Sequence, residues 1–175
     1  IDMPIFLSPT AMQRLYHHDG DKASARAAEK FGTIYSMSTM ANNTIEEIAE
    51  ISKGPKLFQL YVHKDQSITD DLIERCRTSG YDGMCLTVDT LVGGNRERDL
   101  RTGFTTPPKL TPQSLLSFAM RPEWVFNYFT HKKFELSNVA KKTDKGTNIA
   151  KSVVEYTNEQ YDPAMNWKDA EYCVK

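Results

Sequence analysis

Gly83-Met84-Cys85-Leu86-Thr87-Val88-Asp89-Thr90 is an apolar run that ends in polar residues two apart. Side chains alternate faces along an extended strand, so Thr87 and Asp89 share one face and Leu86 and Val88 the other. Gly93-Gly94 and the charged string Asn95-Arg96-Glu97-Arg98-Asp99 follow. A buried strand therefore opens into a glycine-hinged loop that carries arginine, and chemistry is expected where the two meet.

Upstream, the same arrangement is read three times. An apolar strand over residues 4–8 is closed by Ser8-Pro9-Thr10, and an alanine-rich helical pattern runs over 21–31 until Gly32 stops it. A second strand covers 33–38. Asn43 or Thr44 can cap the following helix over 45–51, whose first-turn acids suit the helix dipole. Lys53-Gly54-Pro55 ends that helix and a third strand covers 56–62. Thr69 or Asp70 is expected to cap a helix over Leu72, Ile73 and Cys76, and Ser79-Gly80 leads into the stretch quoted first.

Apolar strands alternating with amphipathic helices indicate a parallel sheet covered by helices, either doubly wound or a (β/α)8 barrel. All four strands end in polar residues: Ser8 with Thr10, Ser38 with Thr39, Gln59 with Tyr61, and Thr87 with Asp89. In a barrel these tips converge on one mouth. In a doubly wound sheet only strands beside the switch point need them. The barrel is the better reading. A barrel needs about 250 residues and eight strands, so the 175 residues are expected to be its N-terminal half, with four strand-helix units.

Residues 91–163 break the pattern and read as an insertion after the fourth strand. Its prolines and the apolar stretches around Leu115-Leu116 and Trp124-Val125-Phe126 call for helices rather than a plain linker. Asn166-Trp167-Lys168-Asp169 then starts a further helix. With 22 basic and 23 acidic residues the net charge is -1, so nothing favours a nucleic-acid partner. Cys76, Cys85 and Cys173 have no metal-ligand spacing and read as buried thiols of a reducing compartment. No apolar run is long enough to span a membrane.

Several of these runs, in register at successive strand ends, resemble one family. They are Ser8-Pro9-Thr10-Ala11-Met12, Ser38, Phe58-Gln59-Leu60-Tyr61, Leu86-Thr87-Val88-Asp89-Thr90, Arg96 and Asn166-Trp167-Lys168-Asp169. The chain is similar to the FMN-dependent L-2-hydroxy acid oxidases and dehydrogenases, which include glycolate oxidase and bacterial L-lactate dehydrogenase. The resemblance implies FMN as cofactor, held by Pro9, Thr10, Ala11, Ser38, Gln59 and Thr87. An amide with hydroxyls can answer both the donors and the acceptors of a flavin pyrimidine edge. Read without the family, Gln59 and Thr87 are satisfied polar groups inside a barrel.

By the same resemblance Tyr61 is catalytic and touches the substrate oxygen. Asp89 pairs with a catalytic histidine, and Arg96 binds the substrate carboxylate. Taken alone, Tyr61 is an aromatic at a barrel rim, Asp89 a turn cap and Arg96 a solvated charge. The implied reaction takes the hydroxyl proton through histidine and passes hydride to flavin N5, converting an L-2-hydroxy acid, foremost L-lactate, to its keto acid. That histidine belongs to an Asn-His-Gly-Gly-Arg-like motif that this sequence does not contain. His17 and His18 are expected to point apart, so no metal site is read, and His63 and His131 lack a supporting carboxylate. This segment alone is therefore expected to be inactive. The alternative is a half-barrel that binds flavin or assembles without catalysis.

Met40 stands where several oxidases carry a tryptophan lining the substrate pocket. Arg121-Pro122-Glu123-Trp124 and its aromatic neighbours resemble the bacterial lactate dehydrogenase type instead. The implied partners are a 2-hydroxy acid, an electron acceptor (quinone, cytochrome or O2) and further copies of the chain. The implied location is the cytoplasm, with the aromatic patch either peripheral on the inner membrane or packed on the barrel or a neighbouring subunit.

Overall fold

The structure is a computed structural model that describes residues 1–89, 97–103, 111–132, 134–139 and 160–174. Strands β1 (Phe6–Leu7), β2 (Ile34–Ser38), β3 (Lys56–Leu60) and β4 (Gly83–Leu86) form one sheet in that order, every neighbouring pair parallel. Helices α1 (Asp21–Lys30), α2 (Ile45–Ile51) and α3 (Gln66–Thr78) make the crossovers.

Register decides what each face of the sheet carries. Met37 aligns with Phe58, and Phe58 with Met84; Ser38 aligns with Gln59, and Gln59 with Cys85. Aligned residues of neighbouring strands share a face. Tyr35, Met37, Phe58 and Leu60 therefore lie together, and all are buried against Ala25 and Ala28 of α1, Ile45 and Ile48 of α2, and Ile68, Leu72 and Cys76 of α3. Each large apolar side chain taken fully out of water stabilises the fold by about 1.5–3 kcal/mol. Lys56 falls on this face too, and its ammonium is satisfied by the carbonyls of Ser52 and Gly54 at 3.1 and 2.7 Å.

The helix ends follow local chemistry. Thr44 caps α2 in a full capping box with Glu47. Gly32 follows α1 at φ +62°, and a Cβ there would collide with Asp2. The cap expected at Thr69 or Asp70 is instead Asp65, whose carboxylate accepts the Ser67 N–H at 3.0 Å. Thr69 is inside α3 and fully buried, where its hydroxyl accepts the N–H of His63 at 3.1 Å.

Three strands are shorter than their apolar runs. β1 keeps only two residues in register with β2. β3 ends at Leu60 because the chain beyond it leaves the sheet to pair with a distant segment: Lys64 N–H donates to Gln160 O at 2.9 Å, and Asp162 N–H to Val62 O at 3.1 Å. The N–H of Thr87 still donates to Leu60 O at 3.0 Å, so Val88 and Asp89 lie past the last bond between β3 and β4. The thiols also differ from expectation. Cys76 is buried, and burial pushes its thiol up to about 12, but Cys85 is exposed and Cys173 half-buried. Cys85 lies on the sheet face away from the helices, where the described residues leave it uncovered.

Within the expected insertion, α4 (Glu97–Thr102), α5 (Pro112–Ala119) and α6 (Pro122–Thr130) are helical. Proline opens both α5 and α6, at the one part of a helix that needs no N–H from it. Residues 134–139 return to the frame. Asn138 accepts the Ile45 N–H at 3.0 Å, Ser137 donates to Asn42 O at 2.7 Å, and Leu136 and Val139 are buried. Helix α7 (Trp167–Val174) follows, one residue later than expected.

Candidate functional site

The sheet face away from the helices carries a row of polar side chains at the carboxyl ends of β2, β3 and β4. Ser38 Oγ donates to Gln59 Oε1 at 3.2 Å, and Gln59 Nε2 donates to Thr87 Oγ1. Ser38 also accepts the Met40 N–H at 3.1 Å. Ser38 and Gln59 are buried and Thr87 is half-buried. Such groups are tolerated inside a protein only when hydrogen-bonded, and here each is bonded to the next. The row is thus pre-set in one geometry, and among the described residues none accepts the Thr87 hydroxyl hydrogen.

Thr39 holds the row from behind. Its hydroxyl donates to Gln59 O at 2.6 Å and accepts the Tyr61 N–H at 3.3 Å, while its own N–H donates to Gln59 O at 3.1 Å. The sequence marked Thr39 only as part of a polar strand tip. Met40 is buried in the core, and its carbonyl accepts the N–H of Met12, which sits in the left-handed region at φ 55°. That bond fixes the turn after Pro9, Thr10 and Ala11 against the end of β2. Pro9 and Thr10 are exposed and Ala11 packs at the margin of the core.

Tyr61 and Thr87 line one small pocket with Val62, Val88, Tyr161, Asp162 and Met165. Tyr161 stacks on Tyr61, with centroids 4.4 Å apart and planes at 18°, and meets His63 edge-on at 5.2 Å. Tyr161 escaped sequence reasoning because a hundred residues separate it from Tyr61; only the chain pairing across residues 62–64 and 160–162 brings them together. Burial holds the His63 imidazole down to about 4, against the opposing pull of the Tyr61 carbonyl and Asp65. His63 is therefore neutral near pH 7.

The other sequence candidates stand apart. Asp89 is exposed beyond the β3–β4 ladder. Arg96, with Thr90 and Gly93-Gly94, lies outside the described residues. The rings of His17 and His18 do not diverge as expected: they stack at 4.2 Å and 30°. The wide turn before α1 folds them onto each other, and His131, the C-cap of α6, lies 4.4 Å from His18 on ring centroids.

The residues of the polar row fit one edge of a flavin. One amide and two hydroxyls in fixed sequence match the mixed donors and acceptors of a pyrimidine edge. The implied phosphate site belongs to later strands of a barrel, so only the ring edge is tested by these residues.

Comparison with known proteins extends this reading. Glycolate oxidase 1 of Oryza sativa subsp. indica is 35% identical over 175 residues, covering 98% of this chain and 41% of that protein. Glycolate oxidase of Spinacia oleracea is 35% identical over 169 residues, with 97% and 40% covered. The chain thus spans about 41% of the length of such relatives. Among solved structures, (S)-mandelate dehydrogenase, described as a monotopic membrane protein, superposes with TM-score 0.84 at 29% identity over 97% of this chain and 44% of that one. Mandelate oxidase with (S)-4-hydroxymandelic acid gives 0.73 at 29% identity, with 98% and 42% covered. The four parallel strands and their helices are accordingly the first part of a (β/α)8 barrel. The sequence model of the FMN-dependent dehydrogenases matches over residues 1–175, and this chain, with a bonded amide and hydroxyls at its barrel strand ends, belongs to that FMN-using family.

Proposed function

We propose that, within a full-length protein, this chain forms the N-terminal half of an enzyme that oxidises an L-2-hydroxy acid, L-lactate foremost, to the keto acid. The observation that carries the reading is the Ser38–Gln59–Thr87 row with Tyr61 one strand-step beyond it. When bound, FMN supplies the two-electron acceptor. Ser38, Gln59 and Thr87 would orient its ring edge, with Pro9, Thr10 and Ala11 close by. Tyr61, stacked on Tyr161, would present its phenol to the substrate oxygen, where a fixed donor stabilises developing negative charge. Asp89 would hold a histidine supplied by later residues, Arg96 would bind the carboxylate, and residues 1–175 alone would not turn over.

Anaerobic mixing of the flavin-loaded full-length protein with L-lactate tests this directly. Bleaching of the flavin absorbance is expected; unbleached flavin with L-lactate, glycolate and (S)-mandelate alike would reject the reading. Tyr61→Phe should lower kcat about 100–1,000-fold, as for loss of one transition-state donor, with flavin content unchanged. Equal turnover removes Tyr61 from the chemistry.

A second reading concerns residues 112–130. Leu116, Met120, Phe126 and Phe129 are 64–78% exposed, a dense apolar surface for two short helices. No helix of the described residues is long and apolar enough to cross a membrane. These side chains would instead rest on a bilayer surface, where a quinone could accept the electrons. The description of mandelate dehydrogenase as monotopic supports this. Sedimentation with anionic liposomes, with and without 112–130, is the test, and equal pelleting would reject it.

A further inference from the structure

The turn between β1 and α1 holds a cluster that flavin chemistry does not use. His17, His18 and Asp19 each offer one ligand atom, and these atoms lie within 4.8 Å of one another. Tetrahedral zinc with bonds to nitrogen and carboxylate oxygen of about 2.0–2.2 Å sets its ligand atoms about 3.4 Å apart. The set therefore closes by side-chain rotations that bring the atoms together by about 1–1.5 Å. His18 Nδ1 is buried with no hydrogen-bond partner among the described residues, which is costly for a polar atom and is relieved by a ligand. His17 is exposed, so an ion can reach the site from solvent.

Two further contacts bear on the ligand set. The His131 and His18 ring centroids are 4.4 Å apart, His131 stands outside the set of atoms within 4.8 Å of one another, and its Nδ1 is 3.0 Å from Asn127 O. An imidazole that donates Nδ1–H to a carbonyl has its Nε2 lone pair available and its ring oriented, as is usual for metal-bound histidine. Asp19 gives one oxygen to Arg26 and keeps the other. His17 Nδ1 accepts the Asp19 N–H at 3.2 Å, a bond given up when a metal on Nε2 leaves the ring proton on Nδ1.

We propose that His17, His18 and Asp19 bind a divalent transition-metal ion of the zinc type, and that His131, which starts outside this set, swings in as fourth ligand. Imidazoles with one carboxylate suit such ions over magnesium or calcium. The ion would clamp the C-terminal end of α6 onto the β1–α1 turn, so its role is to fix the insertion against the frame rather than to take part in oxidation.

The test uses untagged full-length protein stripped with chelator, with Co2+ as spectroscopic probe and Zn2+ as competitor. One Co2+ per chain, with visible d–d absorption that Zn2+ abolishes, is expected. His18→Gln should weaken binding at least about tenfold and His131→Gln by a similar factor, with far-UV circular dichroism unchanged. His17→Gln, at an exposed position, provides an independent variant. Absence of a cobalt spectrum, or binding that survives the paired His17→Gln and His18→Gln changes, overturns the site. Full affinity in His131→Gln overturns the clamp.

Discussion

The α/β frame and the helices of the insertion use apolar residues in opposite ways. Helix α2 has seven residues and buries Ile45 and Ile48 completely; α3, polar over most of its thirteen, still buries Ile68, Leu72 and Cys76. Helices α5 and α6 are far richer in apolar side chains than α3, yet neither has a buried residue. Apolar content therefore does not decide burial in this chain. What decides it is whether a helix has a sheet to lie on: α1–α3 pack on one face of β1–β4, whereas α6 is attached through Trp124, whose Nε1–H donates to Leu15 O at 2.8 Å, and through the ring of its C-cap His131 against His18.

Replacing a residue of the frame core should break that contrast most severely. Phe58 is fully buried and central in β3, and Phe58→Ala should cost about 3–5 kcal/mol in denaturant unfolding, the usual range for an aromatic deleted from a packed core. A loss below about 1 kcal/mol would mean that the frame is no better packed than the insertion.

The seam between the two regions should respond to acid through His63. Burial holds His63 at about 4, below its ordinary 6.5. Between those values the unfolded chain binds more protons than the folded one, so stability is full above about pH 6.5 and falls as the pH drops through 4. The integrated loss is on the order of 3 kcal/mol. His63→Asn should flatten unfolding free energy against pH over this window relative to the parent; an unchanged slope would assign the acid response to other groups.

Much of the frame could be read directly from residue order, because strand, cap and glycine signals act over a few residues. Thr44 with Glu47, and Gly32, needed no tertiary information. The polar row was equally legible, since alternation along a strand is a local property and Ser38, Gln59 and Thr87 fall on one face. Contacts made across long stretches were not. Tyr161 reaches Tyr61 only through pairing that also shortens β3, and His131 reaches His18 only because α6 folds back. Asp65 does not stand out as a cap in the sequence because Thr69 and Asp70 have the same capping chemistry a few residues later; the Thr69 hydroxyl instead accepts the His63 N–H. Cys85 was misplaced because an apolar run implies burial on both faces of a strand, while here only one face is covered by helices.

Trp124 offers a smaller lever on the insertion. It stacks between Phe118 at 5.4 Å and Tyr128 at 5.2 Å besides its bond to Leu15. Trp124→Ala removes these contacts at a half-buried position and should cost about 1–3 kcal/mol. Hydrogen exchange should show the loss confined to residues 112–130, leaving protection of β2 and β3 unchanged. Loss of protection throughout would show that insertion and frame unfold as one unit.

Phe129 should give the smallest effect on stability and the clearest separation of the regions. It is 78% exposed and meets Tyr128 edge-on at 5.5 Å. Phe129→Ser therefore removes little buried area, and unfolding should shift by no more than about 0.5 kcal/mol. If the apolar surface of α5 and α6 exists to meet a bilayer, the same substitution, joined with Phe126→Ser, should sharply reduce co-sedimentation with liposomes. Burying one such ring contributes about 1.5–3 kcal/mol, which corresponds to roughly tenfold or more in partitioning. A large stability loss would show instead that these rings are covered in the native protein, placing the insertion with the frame as a packing element.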